Sequence, residues 1–241
     1  MQEKFNAIVL NVIKYNDRHN IAHVYSDTRG VLPLLVRQGS TAGSRARNAM
    51  FMPLSLLEVV ASFRAGNELG RIVEVRRREL LLDLHSHPAK VTIALFIAEV
   101  LQRAIVEQER NDQLFAFIDH SVLRLDAAQR GIANFHITFL YQLGRYVGIQ
   151  PDIDTYAPGR WFDLQEGVFT VGVPRSGHAL PPDQARAIRL LSRMNFDNMH
   201  LFRFTRRQRA LLLDTTLAYY RLHQSTLGTL RSLDILKQVF D

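Results

Sequence analysis

Arginine is the residue type in this chain whose spacing best supports binding chemistry. Residues 28–57 contain no Asp or Glu. Arginines in such a stretch can neutralise phosphates and release their counterions without competition from nearby carboxylates. The sequence therefore predicts a polyanion-binding surface, and simple solvation is the alternative for each arginine taken alone. The predicted contacts are Arg29, Arg37, Arg45 and Arg47, with Arg71, Arg76, Arg77 and Arg78 as a second cluster.

Four aromatic residues lie near these arginines in the sequence. Tyr15, Tyr25, Phe51 and Phe63 are candidates for stacking on nucleic-acid bases. The alternative is that most of them belong to a hydrophobic core.

A second basic stretch lies near the C-terminus. From residue 183 to residue 209 the only acids are Asp183 and Asp197. Arginine pairs well with carboxylates, so this stretch predicts a groove for an acidic partner tail. The alternative is a solvated helix face above core aromatics. The predicted tail contacts are Arg203, Arg206, Arg207 and Arg209, beside Phe196, Leu201, Phe202 and Phe204.

Signals of catalysis are weak in this sequence. It has no cysteine and no P-loop, G-x-G-x-x-G, G-x-S-x-G or H-E-x-x-H motif. We therefore expect no enzyme activity, no cofactor and no metal. The net charge of +7 favours a polyanionic partner. No apolar stretch approaches membrane-span length and no signal peptide is evident, so we expect a soluble cytoplasmic protein.

The first eighty residues have the pattern of strands. Five short β-rich segments predict a small closed barrel, for which an OB-fold is the commonest type and an SH3-like barrel the alternative. The small, polar and basic residues 37–47 predict a mobile surface loop. Residues 1–80 are thus the predicted OB-fold domain.

Helical spacing dominates residues 81–241, which form the predicted second domain. Pro88 begins a helix, Asp112 can cap the next, and Gly148 ends a third. Residues 150–182 are dense in Pro and Gly and predict a small lobe with a hairpin around residues 165–167. Thr205 and Gln208 have capping-box spacing, and a last helix is expected over residues 227–239. The predicted fold class is α+β.

The ordered set of these segments resembles the RecO family. The segment that most resembles the family is a strand followed by a basic Gly/Ser loop and then the sequence Met-Pro-Leu. The matching segments are residues 7–10, 14–15, 26–39, 44–47, 52–54, 139–151 and 230–236.

The resemblance implies a recombination mediator of DNA repair, acting on the nucleoid of a bacterium. It implies binding to single- and double-stranded DNA and annealing of complementary strands. It also implies RecR and the acidic tail of single-strand-binding protein as partners in loading RecA. The alternative is a basic scaffold that binds an acidic tail without direct DNA function.

One feature departs from the family pattern. Many members hold zinc with four cysteines in the lobe, and this chain has none. We expect an apolar cluster in its place, formed by Trp161, Phe162, Leu164, Val168 and Phe169.

Overall fold

The computed structural model describes residues 1–39, 41–64, 66, 68–105 and 109–240. Contacts between residues within the chain divide the protein into two compact units, Met1–Ala127 and Ala128–Asp241. The functional boundary expected near residue 80 stays a prediction. Among the described helices, none combines the length and apolar character needed to cross a membrane.

Five strands of the first unit close into a barrel. They are β1 (Gln2–Lys14), β2 (His19–Ser26), β3 (Gly30–Arg37), β4 (Leu56–Ser62) and β5 (Gly70–Arg77). The order around the barrel is β1-β2-β3-β5-β4, and only the β3–β5 pair among these is parallel. A small closed five-stranded barrel of this kind is an OB-fold, so the predicted α+β class is confirmed.

Alternating side chains fill the barrel interior. Val24, Leu34 and Val59 are fully buried there, and intervening residues point outward. Gly70 lies in register with Leu34 where the barrel closes. A Cβ atom at Gly70 would come within 2.8 Å of the side chains of Leu34 and Phe63. Glycine is therefore required for β5 to approach β3 this closely.

A short helix follows β3. Helix α1 (Ala42–Asn48) overlaps residues 37–47, which the sequence predicted as a loop, so that prediction is wrong for residues 42–47; Ser40 lies outside the described residues. The hydroxyl of Thr41 caps the helix by accepting the amide of Ser44 at 3.2 Å. Such a short helix is marginal alone. Phe51, which follows it, is buried in the barrel core.

Two long helices complete the first unit. They are α2 (Pro88–Ala104) and α3 (Asp112–Ala127), and α2 starts at the predicted proline. The capping residue of α3 is Asn111, whose side-chain oxygen accepts the amide of Leu114 at 3.0 Å. Asp112 was the wrong choice because its carboxylate pairs with Arg110 at 2.7 Å.

The second unit contains helices and a small sheet. The helices are α4 (Ile132–Tyr146), α5 (Pro182–Ser192), α6 (Arg206–His223) and α7 (Ser232–Phe240). The sheet has the order β7-β6-β8, from β6 (Trp161–Asp163), β7 (Val168–Thr170) and β8 (Ala179–Leu180). Two 3-10 turns, Ile153–Thr155 and Met199–Leu201, complete the elements named for this unit.

Local signals located most helix ends of the second unit correctly. Gly148, two residues after α4, has a φ of 74°, a conformation that favours glycine. Thr205 and Gln208 form the predicted capping box of α6. The hairpin between β6 and β7 is also confirmed. Only α7 was predicted too long, since it begins at Ser232 instead of residue 227.

Lys90 is a buried charge on α2. Its side chain is 1% exposed, and Nζ donates to the carbonyl of Asp126 at 2.6 Å and to the carboxylate of Asp83 at 3.2 Å. The carboxylate of Asp126 in turn accepts the amide of Leu84 at 2.7 Å. These bonds fasten the segment after β5 to both α2 and α3.

Lys90→Met should therefore destabilise the first unit. The substitution roughly keeps the side-chain length but removes the charged donor to the part-buried carbonyl of Asp126, which costs about 1–3 kcal/mol. Urea unfolding measures the change in free energy. Lys14→Ala is the control, because Lys14 forms an exposed ion pair with Asp17 and such pairs contribute little. Equal stability of the two variants would contradict this role of Lys90.

Candidate nucleic-acid interface

Closure of the barrel brings two predicted arginines to one outer face. Leu35 of β3 is in register with Arg71 of β5, and Arg37 lies two residues further along β3. Both arginines are exposed. No carboxylate of the described residues forms an ion pair with either one. Both guanidinium groups are therefore available to an anionic partner.

Helix α1 carries two further predicted arginines, Arg45 and Arg47. Arg45 is exposed and Arg47 is half-buried, and both lie in the last turn of the helix. Within the described part of the chain, neither forms an ion pair with a carboxylate. The C-terminal end of a helix favours positive side chains, which suits this position.

Three of the predicted arginines already pair with carboxylates. Arg29 forms a two-pronged pair with Glu3, and its guanidinium lies 4.5 Å from the ring centre of Phe63. The other two pairs are Arg76 with Glu58 at 2.6 Å and Arg78 with Asp119. Such pairing reduces the attraction of these arginines for a second anion.

Glu58 is held in its charged form by its basic neighbours. Hydrogen bonds from Arg76 and Lys4 lower the pKa of its carboxyl group to about 2. The charge on Glu58 therefore persists at neutral pH and offsets Arg76.

Arg77 has a positioning contact. Its guanidinium donates to the carbonyl of Ala49, the C-cap of α1, at 3.0 Å. Of the eight predicted arginines, three thus have carboxylate partners and five have none among the described residues; of these five, Arg77 donates to the C-cap carbonyl of α1. Sequence alone could not show this division, because Arg78 and Asp119 are 41 residues apart.

The four aromatic candidates differ in burial. Tyr25, Phe51 and Phe63 are buried, so the expectation that they stack on bases is wrong for them. Tyr25 stacks on Phe115 of α3 with ring centres 6.0 Å apart. Tyr15, in the turn after β1, is 60% exposed.

The second unit contains a shallow pocket on α6. Arg206 and Arg209 line it together with Leu213 of the same helix and with Leu236 and Phe240 of α7. The other two predicted tail contacts, Arg203 and Arg207, are exposed and do not line this pocket. The structure thus brings two of the four arginines to one apolar site.

Arg209 lies partly beneath the surface of this pocket. One terminal nitrogen donates to the carbonyl of Phe204 at 2.7 Å, while its buried Nε has no hydrogen-bond partner among the described residues. Burial and the charge of Arg209 lower the pKa of the neighbouring His136 to about 3. His136 is therefore neutral at pH 7. The basic side chains that line the pocket are Arg206, Arg209 and Lys237, and Lys237 pairs with Asp214 at 2.7 Å.

The expected aromatic groove is less open than the sequence suggested. Phe196 stacks on the buried Phe135 with ring centres 4.7 Å apart. Phe202 and Phe204 lie 6.0 Å apart and are half-buried. Leu201 is 68% exposed.

The lobe in the second unit does not suit zinc. The chain has no cysteine, and no three His, Asp or Glu side chains gather around a common point in the described residues. The rings of Phe162 and Phe169 fill the interior, 4.8 Å apart. Buried Asp163 accepts bonds from the amide of Gln165 and the hydroxyl of Ser176, both at 2.9 Å.

An OB-fold barrel followed by a helical region defines the class of this α+β protein. The chain belongs to the RecO family of DNA repair proteins. Residues 1–79 match the family model described as "Recombination protein O N terminal", and residues 85–232 match "Recombination protein O C terminal". The family membership inferred from sequence segments is therefore confirmed.

Relatives match along the whole chain. The protein is 39% identical over 242 residues to the DNA repair protein RecO of Bacteroides fragilis. It is 38% identical over 240 residues to that of Phocaeicola vulgatus, and 32% identical over 242 residues to that of Flavobacterium psychrophilum. Each alignment covers 100% of both chains.

The lobe should be stable without metal. A chelator should leave the melting temperature unchanged, because aromatic packing and Asp163 hold the lobe together. Asp163→Ala should reduce the free energy of unfolding by about 2 kcal/mol, since it removes a charged acceptor from the part-buried bonds of Gln165 and Ser176. Asp154→Ala is the exposed control and should have little effect. Stoichiometric zinc by elemental analysis, or a melting temperature that falls with chelator, would overturn this account.

Proposed function

We propose that the protein is a non-catalytic recombination mediator that binds single- and double-stranded DNA and anneals complementary strands. The observation that best supports this proposal is that four arginines on α1 and the β3–β5 face have no carboxylate partner among the described residues. They are Arg37, Arg45, Arg47 and Arg71. Guanidinium groups in such surroundings form charge-assisted bonds to phosphate oxygens. The ion-paired Arg29, Arg76 and Arg78 add to the positive field at lower strength.

Family membership supports the rest of the proposal. The named relatives are bacterial DNA repair proteins, so the proposed place of action is the nucleoid in the cytoplasm. The proposed partners are RecR and the acidic tail of single-strand-binding protein, and the proposed outcome is loading of RecA onto DNA. The chemistry needed for this role is binding and alignment of strands, for which the chain requires no cofactor.

Replacement of Arg37, Arg45 and Arg47 by Ala should weaken DNA binding by about 10- to 100-fold, because each arginine lost removes a phosphate contact. Annealing of complementary oligonucleotides should slow in parallel. Fluorescence anisotropy and an annealing assay at fixed salt measure the two effects. Folding should persist, because Arg37 and Arg45 are exposed and Arg47 is only half-buried. Surface substitutions usually change stability by less than about 0.5 kcal/mol each.

A charge-matched control separates local contact from net charge. Arg175, Arg186 and Arg193 are exposed arginines of the second unit, and replacing them by Ala removes the same charge. We expect this variant to bind DNA nearly as well as the wild type. If both triple variants lose affinity equally, the proposed interface is wrong. If the wild type binds no DNA, the alternative of a tail-binding scaffold is favoured.

We further propose the α6 pocket as the site of the acidic tail. Arg206 and Arg209 can pair with carboxylates while the apolar side chains of Leu213, Leu236 and Phe240 contact an aromatic residue of the tail. Arg203 and Arg207, which lie outside the pocket, can contribute to longer-range attraction of the acidic segment.

A labelled acidic peptide ending in Phe tests the pocket directly. Arg206→Ala should weaken peptide binding about tenfold or more, since a hydrogen bond to a charged group contributes about 1.5–3 kcal/mol. Arg207→Ala, a change of the same type one residue away, should have a much smaller effect. Wild-type affinity in Arg206→Ala would show that the tail binds elsewhere.

A further inference from the structure

The α6 pocket is nearly closed by helix α7. Phe240 of α7 stacks on the ring of His136 with ring centres 5.5 Å apart, and Leu236 and Lys237 of the same helix also line the pocket. The space left between the lining side chains is about 20 Å³. That volume holds about one water molecule, whereas a cavity that binds benzene is on the order of 150 Å³. An aromatic side chain of a partner can therefore enter only if one wall of the pocket moves.

Two of the three helices that line the pocket are firmly joined. The buried Tyr220 of α6 donates its hydroxyl to the carbonyl of Leu140 of α4 at 2.7 Å. Leu217 of α6 and Phe139 of α4 are also fully buried. Separating α4 from α6 would break this buried hydrogen bond and expose core side chains to water, so these two walls stay in place.

Helix α7 is attached less firmly than the other two. It has nine residues, a length that is marginal without tertiary packing, and its buried residues are Ser232 and Leu236. Lys237 pairs with Asp214 of α6 at 2.7 Å, but the two side chains are 35% and 53% exposed, and exposed ion pairs contribute little to stability. Movement of α7 therefore costs less free energy than movement of α4 or α6.

The connection between α6 and α7 provides a fixed pivot. Leu227 is fully buried and Leu230 is 3% exposed, so the residues before α7 can stay in the core while the helix moves. Proteins commonly open single elements in this way while the rest of the fold stays intact. Opening from Arg231 onward would carry Leu236 and Phe240 away from the ring of His136.

We infer that α7 is a gate of the α6 pocket, which closes over His136 when no tail is bound and opens to admit the aromatic residue of an acidic partner tail. Once the gate is open, Leu236 and Phe240 contact the tail from the side opposite α6. The inference rests on the proposed tail-binding site and adds to it a conformational step that controls access.

An acidic tail favours the open state for two reasons. Its carboxylates compete with Asp214 for Lys237, which weakens the ion pair between α6 and α7. Its aromatic ring covers the apolar surface of Leu213 and His136 that α7 leaves when it moves. Because both interactions need the open state, binding of the tail shifts the equilibrium toward opening.

A reversible crosslink between α6 and α7 tests the gate. The chain has no cysteine, so Asp214→Cys combined with Lys237→Cys introduces two thiols where the ion pair was. Joining them with a short bifunctional methanethiosulfonate should weaken binding of a labelled acidic peptide ending in Phe by about tenfold or more, because the open state is no longer accessible. Reducing the crosslink should restore the affinity. The same variant with a monofunctional methanethiosulfonate on each thiol is the control and should bind the peptide like the unmodified variant.

Thiol labelling measures the opening of α7 without any peptide. Leu236→Cys and Leu230→Cys each place one thiol in the cysteine-free chain, at positions that are 1% and 3% exposed. A neutral maleimide should modify Leu236→Cys about tenfold or more faster than Leu230→Cys, because position 236 moves with the gate and position 230 stays anchored. Melting temperatures of the two variants check that both are folded.

The two experiments separate the gate from the tail site. Unchanged peptide affinity in the crosslinked protein would overturn the gate while leaving the tail site intact, and equal labelling rates of the two thiols would also overturn the gate. If the wild-type protein does not bind the peptide but Leu236→Cys still reacts quickly, the proposed tail site is wrong and the movement of α7 is supported.

Discussion

The parallel contact between β3 and β5 closes the barrel, and the arrangement of the outer face depends on it. Leu34 and Leu35 pair with Gly70 and Arg71 there, and the absence of a side chain at Gly70 leaves room for Leu34 and Phe63. Because side chains alternate along a strand, closure at this register directs Gly70 inward and Arg71 outward. A shift by one residue would place the charge of Arg71 against the core.

Charge pairing then determines which arginines can act on a partner. Those fixed by Glu3, Glu58 and Asp119 stabilise the barrel and its contact with α3, whereas those on α1 and along the β3–β5 seam retain their full charge. An anionic partner is thereby attracted to α1 and to the β3–β5 seam. In the second unit, two of the four predicted arginines line an apolar pocket on α6.

Much of the fold could be predicted from the sequence because its signals are local. Alternating residues identify the strands, Pro88 and the Thr205 capping box locate helix starts, and turn residues identify the lobe hairpin. The rest depends on distant contacts. Helix α1 is too short to show a pattern, and its C-cap carbonyl accepts a hydrogen bond from Arg77, 28 residues further along the chain. The partner of Arg78 is remote in sequence, and exposure of Tyr15 with burial of Phe63 follows from barrel closure.

The salt dependence of DNA binding tests the central claim most directly, namely that arginines without carboxylate partners bind the phosphate backbone. Affinity of the wild-type protein for a single-stranded oligonucleotide would be measured from low to moderate salt. Each neutralised phosphate contributes about −0.7 to the slope of log affinity against log salt, so four arginines predict a slope near −3. The slope should fall toward −1 when Arg37, Arg45 and Arg47 are replaced by Ala. A slope near zero in the wild type, or an unchanged slope in the variant, would contradict the account.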